Sequence, residues 1–151
     1  MMIKLTVSDV ANYWDVIKYG VEQSLPPSSG EITPEKMNTV LASLMYDKAK
    51  CWVSYEGDES KNKINAIVIT QEVVDEISET KNLLLYSVFS HEGIGSKAWD
   101  EGFNTLVKYA ASRGCESLLA FTDNKGLIDL AEHFGGDVSL RLIKIPLNQK
   151  Y

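Results

Sequence analysis

The sequence predicts one α/β domain, a mixed and mostly antiparallel central sheet flanked by helices. Three observations lead there. Two segments near the N-terminus repeat apolar residues at helical spacing, the middle of the chain switches to short β-rich runs around a polar turn, and the last third alternates strand with helix. The order is α-α-β-β-β-α-β-α-β, antiparallel strands followed by a right-handed β-α-β crossover. With 151 residues the chain suits a single core, since about 68–70% of the unfolded surface is buried at this size.

Each element has its own signal. Ser8 is the expected N-cap of the first helix, whose buried stripe is Val10, Tyr13, Trp14, Ile17 and Val21. Pro26 and Pro27 end it, because neither can continue a helix, and open a loop to Gly30. Thr33 caps a second helix with Pro34 at its first position; its stripe is Met37, Val40, Leu41, Leu44 and Met45. Lys50 to Tyr55 and Ile64 to Thr70 read as a hairpin around the polar turn Gly57 to Asn62. The acidic stretch Gln71 to Glu79 fits either more strand or a helical turn.

Leu83 to Phe89 is a continuous apolar run, the mark of a strand covered on both faces. A long helix follows from Ser96 to Arg113, with Trp99, Phe103, Leu106, Val107 and Ala110 on one face and Gly114 as its C-terminal cap. Then come a strand from Ser117 to Thr122, a helix from Asn124 to Phe134, a break at Gly135-Gly136 and a last strand from Val138 to Leu147. Trp14, Trp52 and Trp99 belong to the core on this pattern. The final strand is an edge that a homodimer would pair across.

Composition narrows the classes of function. Fifteen basic and twenty-one acidic residues leave a formal charge of −6. Nucleic-acid binding rests on clustered Lys and Arg, which this chain lacks, so nucleic acid is not an expected partner. The acidity is also too dilute for a mimic of nucleic acid. No apolar run reaches the ~20 residues of a membrane span, and Met1 to Thr6 lacks a secretory h-region, so a cytoplasmic protein without membrane association is expected. Cys51 and Cys115 are too few for a metal site or disulfide framework and read as buried thiols.

The chemistry-bearing junction is the apolar strand running into Gly93-Ile94-Gly95 and then into a helix at Ser96. A helix N-terminus presents unpaired amides and partial positive charge to an anion, and glycines let the backbone approach it. His91 beside the glycines is placed to contact phosphate, and Lys97 to offset the carboxylate of Glu92.

This junction and element order resemble the GNAT superfamily of N-acyltransferases, across essentially the whole chain in topology and between Leu83 and Gly136 in motifs. The resemblance implies acetyl-CoA as cofactor, held by the amides of Gly93, Ile94, Gly95 and Ser96, with Asn124 opening the second half of its site. It also implies that backbone amides from Tyr86 through Ser87 to Val88 polarise the thioester carbonyl. Glu72 is the candidate general base, since many members place a glutamate after the third strand. Tyr86 is the candidate general acid, because Ala131 stands where the superfamily's tyrosine usually does. Ser90 occupies the usual Arg/Gln position, Gly136 the aromatic one, and the proline after the fourth strand is missing. The implied activity is acetyl transfer to an amine acceptor. The departures suit an alternative: a GNAT-like protein without catalysis that binds a protein partner, a look shared with compact bacteriophage-encoded chains.

Overall fold

A computed structural model describes residues 1–56, 63–91 and 94–148. The hairpin turn expected at Gly57 to Asn62 lies outside the described residues, as do Glu92 and Gly93.

Five strands form one sheet in the order β1-β2-β3-β4-β5, with every neighbour antiparallel except the parallel pair β4 and β5. They are β1 (Met2–Lys4), β2 (Lys50–Glu56), β3 (Lys63–Asp75), β4 (Thr80–Ser90) and β5 (Leu118–Ala120). The helices are α1 (Val7–Asn12), α2 (Trp14–Glu22), α3 (Pro34–Met45), α4 (Ser96–Ser112) and α5 (Lys125–His133), with a 3-10 turn at Pro27–Ser29. The predicted mixed, mostly antiparallel sheet flanked by helices is therefore the observed architecture.

Alternation along the strands separates two packing layers. On one face Cys51, Val53, Ile67 and Ile69 meet Val10, Ile17 and Val21 of α1 and α2 and Met37 and Leu44 of α3. On the other, Trp52 and Val68 meet Leu106 of α4, with Leu85, Val88 and Tyr109 alongside. Gly20 lets α2 lie close on the sheet: a Cβ there would stand 2.9 Å from Ile67 Cδ1 and 3.1 Å from Phe89.

The caps explain the helix ends. Thr33 and Pro34 start α3 as expected, the Thr33 hydroxyl accepting from the Lys36 amide. Gly114, at φ 74°, follows α4 in a Schellman arrangement, the Cys115 and Gly114 amides donating to Ala110 and Ala111 carbonyls. Gly135, at φ 84°, ends α5 in the same way.

Several expectations are corrected. Thr6, not Ser8, caps α1, because it forms a reciprocal capping box with Asp9. The first helix is two, divided at Tyr13, whose φ of −107° and ψ of 16° leave the helical region. Tyr13 and Met45 are exposed rather than core. Strand β1 carries no period of its own in three residues and is held by pairing with β2. The stretch after Thr70 resolves as strand: β3 runs on to Asp75, and the turn at residues 76–79 is tied by the Ile77 and Ser78 amides to Asp75 Oδ1. The predicted final strand is absent: 138–147 makes no ladder, since strand hydrogen bonds need a neighbour and β5 ends at Ala120. Cys115 is half-buried, whereas Cys51 is 1% exposed and its thiol is pushed up to about 12 by burial.

Candidate active site

The site begins with a mismatch in length. Leu83, Leu84 and Leu85 of β4 pair with Leu118, Leu119 and Ala120 of β5, and there β5 stops. Strand β4 continues to Ser90 with β3 on one side, leaving its other edge without a described strand neighbour from Tyr86 onward. The register with β3 slips at the same point: Ile69 faces Ser87 and Thr70 faces Leu85, so Tyr86 is an extra residue in a β-bulge. A bulge bends its strand and re-aims its side chains.

Here the bulge turns two successive side chains toward α2 and its following loop. Tyr86 Oη lies 3.2 Å from Ser29 Oγ, and Ser87 Oγ lies 2.6 Å from Ser24 Oγ. The Ser24 hydroxyl also donates to the Gly20 carbonyl at 2.7 Å. Lys36 Nζ then donates to the carbonyls of Ser29 and Glu31, so the loop from Leu25 to Glu31 is fastened over Tyr86 from α3 as well. Val88 points the other way and packs with Trp52 and Leu106. Ser87 is 2% exposed and its side chain is committed to Ser24.

Beyond β4, the His91 amide donates to the Asn65 carbonyl at 2.9 Å, and the His91 ring meets Phe89 edge-on at 5.1 Å. Gly95 is the N-cap of α4 with φ −73° and ψ 162° and no side-chain cap. Any residue adopts that backbone, and a Cβ at Gly95 would meet nothing within 4 Å. The chain conformation therefore does not require glycine here. What its absence of side chain leaves is open approach to the amides from Ile94 to Ser96. Gly93, the other predicted glycine of this cradle, lies outside the described residues.

Asn124 caps α5, its Oδ1 accepting from the Leu127 amide at 3.1 Å. Ala131 is exposed on that helix, and Phe134 stacks on Phe103 of α4 at 4.1 Å and 4°.

Tyr86, Ser87 and Val88 follow one another along the part of β4 that has no described strand neighbour on its second edge, but Glu72 is not with them. Its carboxylate is held by Arg113 in two bonds, at 2.7 and 3.2 Å, and by Lys81 at 3.2 Å, on the α4 side of the sheet. The Arg113 hydrogen bond, with Lys81 adding to it, holds the Glu72 carboxyl below its ordinary range. A depressed carboxylate is a weaker base. Tyr86 faces the opposite side of the sheet, toward α2.

The sequence reading missed Ser24, Ser29, Lys36 and Asn65. The first three sit in a loop and helix whose pattern says nothing of what they touch. Asn65 carried a weak signal, a polar residue inside an apolar strand; it is 8% exposed and its Oδ1 has no hydrogen-bond partner among the described residues.

Solved structures share this fold. A probable acetyltransferase superposes with a TM-score of 0.72 at 11% identity, over 99% of each chain. Ribosomal-protein-alanine N-acetyltransferase from Brucella melitensis biovar Abortus 2308 gives 0.68 at 11%, over 97% of this chain and 99% of that one. The fold is that of the GNAT acetyltransferases. Glucosamine-6-phosphate N-acetyltransferase from Arabidopsis thaliana superposes with a TM-score of 0.65 at 15% identity, over 98% of both chains. No family model and no curated protein matches the sequence.

Proposed function

We propose that this chain transfers an acetyl group from acetyl-CoA to an amine. The observation that carries the reading is the edge of β4 that has no described strand neighbour beyond its bulge at Tyr86, in a chain whose next helix starts at a Gly95 with open space where a side chain would stand. The residues fit the cofactor. Amides of Ile94, Gly95 and Ser96 would hold the diphosphate, Asn124 would contribute to the second half of the site, and the edge through Ser87 and Val88 would accept an extended arm as a strand neighbour. Acetyl-CoA supplies the activated thioester. The chain's own contribution is positioning, polarisation of the carbonyl by an amide of the bulged segment, and a proton from the Tyr86 hydroxyl, which Ser29 orients, to the departing thiolate. The amine nitrogen forms the new C–N bond as the C–S bond breaks, and its surplus proton leaves to solvent, from which the phenolate is restored. Glu72 is a structural anion in this reading, because its lone pairs are engaged by Arg113 and Lys81.

Calorimetric titration with acetyl-CoA tests the site. Binding is expected, and Gly95→Trp abolishes it by filling the cradle; no heat at high micromolar ligand sinks the reading. Tyr86→Phe is expected to keep the affinity and lose about 10²–10⁴ in kcat.

A second reading, a non-catalytic scaffold that binds a protein partner, is favoured by the apolar side chains of Leu140, Leu142, Ile143, Ile145 and Leu147, all more than half exposed. Capture of a partner by a chain that does not bind acetyl-CoA would select it.

A further inference from the structure

A cavity of about 260 Å³ lies on the α4 side of the sheet, near the C-terminal end of that helix. Lys4, Lys48, Lys50 and Arg113 line it against Asp47 and Glu72. Four cations thus face two carboxylates in a chain whose formal charge is −6. We propose that this cavity binds a compact dianion, a phosphate group or a short dicarboxylate.

Both carboxylates are already engaged. Glu72 holds Arg113 and Lys81, and Asp47 holds Lys50. Lys4 and Lys48 have no ion pair among the described residues; Lys4 stands near enough to Asp47 to help hold its carboxyl low after Lys50, and the lining as a whole carries two more cations than carboxylates. Lys4 Nζ sits 5.4 Å from the centre of the Tyr109 ring, a contact that places the ammonium without neutralising it. Tyr109 is in turn held edge-on by Trp52 at 4.9 Å.

The floor is Thr70, fully buried, whose Oγ1 accepts from Trp52 Nε1 at 3.0 Å. Leu83 beside it is 1% exposed, so this side of the cavity is apolar and strengthens attraction between charges. The partial negative charge of a helix C-terminus opposes an anion. Here it is covered: Lys81 Nζ donates to the Arg113 carbonyl at 2.8 Å, and the Gly114 and Cys115 amides take those of Ala111 and Ala110.

The site is separate from the proposed acetyl-CoA cradle. The 17 residues of α4 put about 25 Å between its ends at 1.5 Å per residue.

The test is an NMR titration of the full chain with phosphate and, in a second arm, with succinate. Ionic strength is held constant with sodium chloride, at a mildly alkaline pH where phosphate is a dianion. The reporters are the Trp52 indole N–H, assigned through Trp52→Phe, and the Arg113 Nε–H. At least one dianion is expected to move both saturably, and the responding arm tells phosphoryl from dicarboxylate. Lys4→Ala with Lys48→Ala weakens binding at least about tenfold, as expected for the loss of two charged donors. Lys48→Ala alone weakens it too, which covers the case in which Lys4→Ala loosens β1. Gly95→Trp changes nothing, so the result stands apart from the acetyl-CoA reading. Shifts that do not saturate, or that chloride alone reproduces, overturn the proposal, as does unchanged affinity in the double variant.

Discussion

Glu72 shows how tightly one side chain's role depends on what folding brings to it. Read along the chain it is an acid at the end of an apolar strand; in the fold its oxygens are taken by Arg113 and Lys81, 41 and 9 residues away. Its carboxyl titrates below the ordinary glutamate value, so the stability it lends is fully present above that value. That contribution is lost as pH falls through the depressed one. Glu72→Gln is therefore expected to lower Tm by no more than about 3 °C at neutral pH, in keeping with a partly exposed pair, and to leave it unchanged in strong acid. Thermal melts across that range check this; a loss of equal size in acid would mean that packing, not charge, is at stake. The Cys51 thiol is 1% exposed and pushed up to about 12, so a thiol reagent is expected to leave it unmodified in the native state while Cys115 reacts. Mass spectrometry after limited labelling distinguishes the two.

At the scale of elements, most helix ends and most of each buried stripe were legible because they obey local rules, the cap at Thr6 and the exposed Tyr13 and Met45 being the exceptions. Thr33 with Pro34, Gly114, Asn124 and Gly135 each satisfy or complete a cap within a few residues of themselves. Gly114→Ala is expected to cost about 1 kcal/mol, the penalty for a Cβ at positive φ, measured by denaturant unfolding. Ile17→Ala removes a side chain with no exposed surface between α2 and the sheet and should cost about 2–5 kcal/mol. Strands β1 and β5 are three residues each, too short to show a period, and exist through pairing with β2 and β4. The segment 138–147 is the converse: its apolar residues suggest a strand, yet it joins none of the described strands of the sheet.

Across the whole molecule, packing is concentrated in the β2-β3-β4 ladder, whose residues fill both cores, while α5 has no buried residue. Hydrogen exchange is expected to be slowest in β3 and β4 and fastest in α5 and 138–148. Protection of α5 equal to that of β3 would contradict this distribution of contacts. The sequence by itself determined the α/β class, the order of most elements, and a glycine-bearing junction ahead of a long helix, because periodicity, capping and turn chemistry act over a few residues. Tertiary structure alone decided the site. The bulge at Tyr86, the end of β5 beside it, the hydroxyl contacts to Ser24 and Ser29, and the cations gathered around Lys4 and Lys48 each join residues distant in sequence. Pairing register and side-chain contact are set by the closure of the sheet, and no local pattern encodes them.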